Sequence, residues 1–368
     1  MPSRFKTATM EQDQVTSAPK SRVAFYAARY SPRKASIRLR VLEPIAALRD
    51  IGVEAGRYPR LRSVDDCAAV VISKAFGRGA IKAAATARRQ GCGLIFDICD
   101  NRYAGKQTPL RAAKARRTSA LLASADIVTV PTQRMGDLLV ECAPDIAGRV
   151  RVVPDMLDDV AGGSGASLSL LDRFWLSRLD RFHMMHDGAL HCVWFGNNMA
   201  GVSGLDQIGP AIAELRHFAQ THPVTLTIIS NKAGLYRRAS REWGIPSFYL
   251  PWSLGSFGTA LRAHRVAIIP VARNAYSAGK SINRPATAIM AGLGVIADSI
   301  QSYEELRPFI ALDDWQGGLS RYAYGWEAEA DRLAQARAHL DARYGRQRVA
   351  ERWREIFAEL AARSLPDA

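Results

Sequence analysis

The sequence predicts an α/β protein built from two doubly wound domains that face each other across a cleft. Short apolar runs rich in Val and Ile alternate with helical stretches over residues 22–154, and the same alternation returns over 190–298. The segment 158–167, DDVAGGSGAS, separates the two series and has the Gly and Ser content of a hinge. A length of 368 residues is also about twice that of one typical domain, which agrees with this division.

The first domain is expected over residues 21–160, after a polar leader at 1–20 that lacks hydrophobic periodicity and that we expect to be disordered. Its predicted strands lie at 23–28, 68–73, 93–98, 126–130 and 150–154, and its predicted helices lie near 37–50, 79–90, 110–123 and 133–142. Strands that are apolar throughout are typical of a parallel sheet with helices on both faces.

The second domain is expected over residues 161–330. Its predicted strands lie at 190–196, 225–230, 247–252, 266–271 and 294–298, and its predicted helices lie near 168–182, 205–219, 233–243, 256–264 and 284–292. Ligands of open parallel sheets bind beyond the carboxyl ends of the strands. The cleft where the two sets of strands converge is therefore the expected site.

Residues 331–368 predict helices that pack back on the body of the protein. Large apolar residues recur there at helical spacing, and the pair Tyr344-Gly345 predicts a break ahead of them. This apolar stripe consists of Val349, Trp353, Ile356, Phe357 and Leu360. We expect the stripe to dock on the domains, because an apolar helix face needs a covering surface.

The composition is that of an ordinary globular protein, with 48% hydrophobic and 23% charged residues. No window reaches the roughly eighteen apolar residues of a membrane-spanning helix, and the start lacks a secretory signal, so we expect a cytoplasmic protein. The five cysteines are odd in number and form no Cys-x-x-Cys pair, which argues against a disulfide framework and a zinc site. We expect neither a metal nor a cofactor.

A formal net charge of +15 points to an anionic partner. Residues 1–160 carry 27 basic and 16 acidic side chains, so most of the surplus belongs to the first half of the chain. Nucleic acid, an anionic membrane surface and phosphorylated small molecules all fit this charge, although no nucleic-acid-binding motif is present. The alternative is that the surplus is spread over solvated helix faces.

The segment 266–298 carries the clearest signal for a ligand site. A strand ends in a proline, a polar loop follows, and a helix begins near Arg284. The N-terminus of a helix binds anions through free N–H groups and its dipole, and Lys280, Ser281 and Asn283 add charge and donors there. We therefore expect a phosphate-binding site. The alternative is that Ser281 only caps the helix and the cations are solvated.

Four segments carry a family pattern: KSINRPATAIMAGLGVIADSIQSYEEL at 280–306, VWFGN at 193–197, FYLPWS at 248–253 and VTVPT at 128–132. Together they resemble the GT-B glycosyltransferases of family four type. The resemblance implies the GT-B architecture, in which two Rossmann-like domains face a cleft. It also implies that the carboxyl-terminal domain holds a nucleotide diphosphate-sugar donor and that the amino-terminal domain holds the acceptor.

The resemblance further implies roles for individual residues of the second domain. Those that would bind the donor diphosphate are Lys280, Ser281, Asn283 and Arg284. Gly196 and Asn197 follow a predicted strand without side-chain bulk, so the donor could approach the backbone closely there; the alternative is a simple turn. Those that would contact the nucleotide base or the ribose are Trp252, Ser253, Glu304 and Glu305. The family's usual pair of glutamates falls near Gly279 and Thr287, so neither acid is present and the stereochemistry of transfer stays open.

In the first domain, Asp97 and Asp100 lie at the carboxyl end of a predicted strand, where catalytic groups of such sheets are found. Either carboxylate could act as a base or orient an acceptor hydroxyl. The alternative is that Asp100 caps a turn with Asn101. All seven histidines follow residue 182, which excludes a histidine base in this domain.

Basic residues in the first domain suit an anionic acceptor, for example a lipid-linked diphosphate sugar. Arg33, Lys34 and Arg38 follow the first predicted strand and border the expected cleft. A second basic cluster fits peripheral contact with an anionic membrane, at the inner face of the cell membrane, or a solvated face; it consists of Arg111, Lys114, Arg116 and Arg117.

The leading functional hypothesis is a metal-independent, hexosyltransferase-like glycosyltransferase that moves a sugar from a nucleotide diphosphate donor to a hydroxyl acceptor. Cell-envelope or exopolysaccharide biosynthesis is the expected pathway. A nucleotide-sugar epimerase of the same fold is an alternative. A protein that binds a polyanion or a sugar nucleotide without catalysis is another.

Overall fold

The computed structural model describes residues 20–59, 63–104, 108–158, 168–197 and 204–363. These residues form two parallel six-stranded sheets with helices packed on their faces. The predicted α/β class with two doubly wound sheets is therefore confirmed. The predicted leader apart from Lys20, and the predicted hinge apart from Asp158, lie outside the described residues.

The first sheet is built from residues of the amino-terminal half. Its strands are β1 (Arg22–Tyr26), β2 (Ala55–Arg57), β3 (Cys67–Ser73), β4 (Gly93–Asp97), β5 (Ile127–Val130) and β6 (Val150–Val152). Its helices are α1 (Ala35–Ile37), a π-helical segment (Arg38–Leu42), α2 (Glu43–Asp50), α3 (Arg78–Arg89), α4 (Pro109–Ser124) and α5 (Gln133–Cys142), with a 3-10 segment at Pro144–Arg149. The spatial order is β2-β1-β3-β4-β5-β6.

The second sheet has the strands β7 (Leu190–Phe195), β8 (Val224–Ser230), β9 (Ser247–Pro251), β10 (Val266–Ile269), β11 (Gly294–Ala297) and β12 (Ala311–Leu312). Its helices are α6 (Leu170–Met185), α7 (Gly209–Phe218), α8 (Ala233–Ala239), α9 (Phe257–Arg262), α10 (Ala275–Ala278), α11 (Asn283–Ala291) and α12 (Trp315–Tyr324). Short 3-10 segments lie at Leu205–Gln207, Ser240–Glu242, Gln301–Leu306 and Trp326–Ala328. The spatial order is β9-β8-β7-β10-β11-β12.

Two strands, β2 and β12, were absent from the sequence-based prediction. The first is the tripeptide Ala-Gly-Arg and the second contains only two residues, so neither shows a periodic pattern. Both lie at the edge of a sheet and pair on one side only. Edge strands of this length are fixed by their neighbour rather than by their own side chains.

The strand order of each sheet reverses at one point, between β1 and β3 in the first sheet and between β7 and β10 in the second. Loops that leave the carboxyl ends of such neighbouring strands run in opposite directions and open a crevice. The four loops after these strands are therefore the ones placed to supply ligand-binding side chains.

The carboxyl-terminal helices connect the two halves. After α12, α13 (Glu329–Tyr344) packs on the second half through Ala336 and Leu340. The chain then breaks at Gly345, and α14 (Arg346–Arg363) returns to the first sheet. There Trp353 is 1% exposed and its ring meets Phe25 edge-on, with 5.5 Å between ring centroids. The first sheet therefore completes one of its two cores with α14.

Trp353→Ala is expected to lower the free energy of unfolding by about 3–5 kcal/mol, because it leaves a cavity between α14 and β1. Chemical denaturation monitored by circular dichroism measures the change. Arg354→Ala is the matched control, since Arg354 is exposed on the same helix and its truncation removes no buried surface. Equal stability of the two variants would contradict the role of Trp353.

Three histidines stack at the amino-terminal ends of β7 and β10. His183 lies 3.9 Å from His191 between ring centroids, and His264 meets His183 edge-on at 4.8 Å. The Nε2 atoms of His183 and His264 are buried without a hydrogen-bond partner. Burial and the neighbouring histidines lower the pKa of His183 to about 4 and that of His264 to about 3.

The free energy of unfolding is expected to fall as the pH drops below about 6.5. His183 and His264 are protonated there in the unfolded chain, but they stay neutral in the folded protein because their pKa values are lower. The slope contributed by each group is at most about 1.4 kcal/mol per pH unit. Denaturation between pH 7 and pH 4 tests this, and His183→Gln should flatten the slope. His217→Gln is the control on an exposed helix face; a matching effect of both substitutions would contradict the prediction.

No helix within the described ranges is long and apolar enough to span a membrane.

Candidate active site

A cavity of about 480 Å³ lies between the two sheets, at the crevice predicted from the strand order. The positively charged side chains that line it are Arg33, Arg38, Lys74, Arg102, Lys280 and Arg284. The acidic side chains that line it are Asp100 and Asp158. The cavity thus carries six cations against two carboxylates and is suited to an anionic ligand.

Asp100 joins the two halves of the cleft. Lys280 Nζ donates to Asp100 Oδ1 at 2.5 Å, and Tyr276 Oη donates to the same oxygen at 3.2 Å. The other oxygen, Oδ2, forms an ion pair with Lys74. Arg102 Nη2 also lies 3.4 Å from Oδ2. Burial alone would raise the pKa of Asp100, but Lys74, Lys280 and Arg102 together outweigh it and hold that pKa far below the usual range.

The low pKa has a chemical consequence for Asp100. A carboxylate that holds its proton so weakly is a poor general base, because the efficiency of proton abstraction falls with the basicity of the group. Its negative charge instead raises the pKa of Lys74 and of Lys280 above the values that burial would impose, so both ammonium groups stay charged. Asp100 is thereby placed to hold these cations.

Lys74 was not predicted from the sequence. It follows β3 directly and adopts φ 51°, a left-handed backbone conformation that is rare for residues with a side chain. Such strain is found at functional sites. The sequence shows only a charged residue immediately after a buried strand. That Lys74 reaches the cleft follows from the position of β3 next to the point where the strand order reverses, which the sequence does not reveal. Arg102, Asn231 and Tyr276 also line the cleft and were not predicted.

Arg284 stands in the first turn of α11. Its guanidinium lies 5.5 Å from the centroid of the Trp194 ring, and none of the carboxylates in the described ranges forms an ion pair with it. Burial lowers the pKa of Arg284, while Tyr303 and Tyr276 partly offset this effect. The residue before the helix, Ile282, provides no side-chain cap. A cation without a counter-ion at an uncapped helix N-terminus is typical of an anion site.

Gly196, directly after β7, makes room for Arg284. Its φ of 155° is one that side chains rarely adopt, and a Cβ there would lie 2.7 Å from Nη2 of Arg284. Asn197, Trp252 and Asn283 also line the cavity. The structure thus brings most of the residues predicted for the donor to one place.

The positions of the two missing glutamates have different surroundings. A Cβ at Gly279 would lie 2.9 Å from Met135 Sδ, because α5 of the first half packs against this loop. Thr132 Oγ1 also donates to the carbonyl of Gly279 at 3.2 Å. Thr287 is 3% exposed and lines the cavity. A larger side chain at the first position would have to displace the Met135 side chain.

The structure corrects the prediction for Asp97, which does not line the cleft. It is 1% exposed and forms an ion pair with Arg40 from the π-helical segment. Ser73 Oγ donates to it at 2.6 Å and Thr129 Oγ1 at 2.9 Å. Because its oxygens accept these bonds, Asp97 stabilises the fold of the first half and is not available to contact an acceptor.

Glu304 and Glu305 are likewise not brought to the cleft. Glu304 accepts from Arg307 Nε at 2.8 Å on an exposed surface. Glu305 pairs with Arg343 at 3.0 Å and faces a separate cavity of about 640 Å³. Neither glutamate lines the cleft cavity that holds Lys280 and Arg284, so the structure does not bring them to the predicted donor site.

The remaining predicted residues divide between the cleft and its border. Ser281 Oγ donates to Asp155 Oδ2 at 2.5 Å, which links the halves. Ser253 hydrogen-bonds to Asp172 outside the cavity lining. Arg33 lines the cavity, and Arg38 lines it while paired with Asp158. Lys34 is exposed and precedes α1.

Groups of three or more His, Cys, Asp or Glu that could hold a metal ion are not found in the part of the chain that the structure describes. The five cysteines are free thiols.

Two facing parallel sheets with an anion-suited cleft between them define the GT-B class of fold, in which both halves are Rossmann-like. No protein-family model matches the chain, and no curated protein matches it. Solved structures, in contrast, match along nearly its whole length.

Three of these structures have a TM-score of 0.61. A trehalose-6-phosphate protein from E. coli bound with UDP-2-fluoro glucose is 9% identical and covers 93% of this chain and 99% of its own. WaaG, a glycosyltransferase involved in lipopolysaccharide biosynthesis, is 11% identical, with 91% and 99% covered. A glycosyltransferase from Rickettsia africae ESF-5 is 10% identical, with 93% and 99% covered. At these identities the likeness establishes the fold.

Asp97→Asn is expected to lower the free energy of unfolding by about 3 kcal/mol, because buried Arg40 loses its main counter-ion. Asp66→Asn is the control; it breaks an exposed pair with Arg22 and should cost less than about 1 kcal/mol. Chemical denaturation measures both. Unchanged stability of Asp97→Asn would contradict the structural role.

Proposed function

We propose that the protein is a glycosyltransferase that moves a sugar from a nucleotide diphosphate donor to a hydroxyl group of an acceptor. The observation that carries the proposal is the pair of cations, Lys280 and Arg284, at the uncapped start of α11, beside the backbone of Gly196. The likeness to solved glycosyltransferases, one of them bound with UDP-2-fluoro glucose, supports it and favours a uridine diphosphate sugar as the donor.

In this proposal, Lys280 and Arg284 bind the donor diphosphate and stabilise the charge that develops on it. During transfer the bond between the anomeric carbon and the diphosphate oxygen breaks, and a bond from the acceptor oxygen to that carbon forms. The leaving nucleoside diphosphate gains negative charge, which fixed cations in a water-poor cleft stabilise more strongly than water does. The acceptor proton passes to the leaving phosphate or to solvent. This chemistry requires no metal, because the two side chains supply the positive charge.

Asp100 acts in the proposal as a positioning residue. It orients Lys280 from the donor side and Lys74 from the first half, and its own charge is compensated by them. Domain closure around the substrates would keep these three groups together and exclude water.

The acceptor is proposed to be anionic. The cleft has four more cationic than acidic side chains on its wall, whereas a nucleotide diphosphate brings about two negative charges. Arg33, on the first-half side, is placed to meet the remaining charge, and Arg102, which pairs with Asp100 at 3.4 Å, lies beside it on the cavity wall. A phosphorylated or lipid-linked diphosphate sugar fits this requirement. A hexose as the transferred sugar and a place in cell-envelope or exopolysaccharide biosynthesis are parts of the same proposal, and the likeness to WaaG supports the pathway.

A second candidate is a protein that binds a sugar nucleotide without turnover. It is favoured by one observation, namely that Gly279 and Thr287 stand where the resembling family has its glutamates. The cleft could then bind the donor while lacking the groups that hold its sugar.

Lys280→Ala and Arg284→Ala are each expected to weaken binding of the donor nucleotide at least about tenfold, because each removes a charge-assisted hydrogen bond to phosphate. Thermal shift and calorimetry with UDP, GDP, CDP and TDP and their sugars measure the effect. The control is Arg237→Ala, which removes an exposed cation from α8.

Turnover assays with the nucleotide identified in this way separate the candidates. Release of nucleoside diphosphate that depends on an anionic acceptor supports the transferase. Tight binding without product in any acceptor screen favours the non-catalytic binder, and conversion of the sugar without an acceptor favours an epimerase. Wild-type affinity in both variants would overturn the assignment of the donor site.

A further inference from the structure

Exposed large apolar side chains are concentrated on a single helix, α6, which lies far in sequence from the cleft residues of α11. Six such side chains are exposed in the described part of the chain, and five of them belong to α6. These five are Leu170, Leu171, Phe174, Met184 and Met185, exposed by 52% to 84%. A concentration of this kind marks an interaction surface rather than ordinary scattered exposure.

The opposite side of α6 accounts for its attachment to the protein. Leu176 and Leu179 are buried in the core of the second half, and Phe182 stacks on Phe248 of the edge strand β9, with 5.4 Å between ring centroids. At 100° per residue, Leu170, Phe174, Met184 and Met185 point away from these contacts, whereas Leu171 lies at the flank near Phe182. The solvent side of α6 therefore carries apolar side chains at both of its ends.

Arginines share this exposed face. Arg178 and Arg181 lie within the same arc as Phe174, and Arg173 flanks it. The Arg178 guanidinium lies 5.7 Å from the ring centroid of Phe174, so the charge and the apolar surface are presented together. Asp180 is the exposed acidic side chain of the helix, whereas Asp172 is engaged in a capping box with Ser169.

We propose that the outward face of α6 docks on an anionic lipid surface, with its apolar side chains in the interface and its arginines on the headgroups. An exposed helix that combines Leu, Phe and Met with arginine has the composition of interfacial helices. The positive charge complements anionic lipid and opposes the stacking of a second copy, which would bring like charges together. This inference does not rest on the proposed function.

The docking face is connected to the cleft. Asp172, in the first turn of α6, hydrogen-bonds to Ser253 and Ser256 of the loop after β9. The same loop begins with Trp252, which lines the cavity. The first turn of α6 therefore lies beside a loop that borders the cleft on the second-half side.

The test is flotation of the full-length protein with vesicles of phosphatidylcholine alone or mixed with phosphatidylglycerol. The wild type is expected to float with the anionic vesicles. Leu170→Ser/Phe174→Ser should lower the partition coefficient at least about tenfold, because it removes two side chains from the interface. Tyr324→Ser, which changes the sixth exposed large side chain, on α12, is the matched control and should bind as the wild type does.

The charge requirement is tested separately. Arg178→Gln/Arg181→Gln should remove the preference for anionic vesicles, whereas Arg237→Gln/Arg238→Gln, the same charge change on exposed α8, should keep it. If both double variants lost the preference for anionic vesicles equally, binding would depend on net charge alone, and the proposal would be overturned. Failure of the wild type to float would overturn it too. So would dimerisation, seen by light scattering, that the α6 variants abolish. Thermal melts confirm that each variant is folded.

Discussion

The ionised carboxylate of Asp100 is the contact on which the arrangement of the cleft depends. It is nearly buried, and a buried charge is tolerated only with partners close by. Lys74 and Arg102 supply partners from the first half, and Lys280 supplies one from the second. These ion pairs hold the two halves at a fixed distance. The ion pair with Asp100 that joins the two halves also holds Lys280 at the start of α11. A change in the relative position of the halves would therefore change the geometry of the anion site.

The cleft contains two features that lower the stability of the folded protein. Arg284 is half-buried against Trp194 without a carboxylate, and Lys74 has a strained backbone. Elsewhere buried charge is compensated locally, as where Arg40 meets Asp97 and Asp155. Cations with a buried carboxylate partner thus stabilise the fold, whereas a buried cation without one is suited to bind a ligand. Of the surplus cations in the first half, only those that line the cavity therefore indicate a ligand site.

The sequence was sufficient for the parts that depend on local pattern. Long apolar runs predicted ten of the twelve strands, and a polar loop before a helix predicted the region of Lys280 and Arg284. It was insufficient where the answer depends on pairing between distant segments. Asp97 and Asp100 look alike in sequence, yet Asp97, at the end of β4, is buried with Arg40, whereas Asp100, three residues further along in the loop, lies in the cleft. The sequence also could not place Glu305, because its partner Arg343 lies in α13, a separate helix further along the chain.

The return of α14 to the first sheet has a consequence for how the protein is made. Phe25 and Trp353 share one core although 328 residues of sequence separate them. During synthesis the second half can fold before the first has its last helix, since domains emerge in order from the ribosome. The amino-terminal sheet must therefore keep an apolar face uncovered until α14 has been synthesised. Termination of translation before α14 would expose the core of the half that was made first.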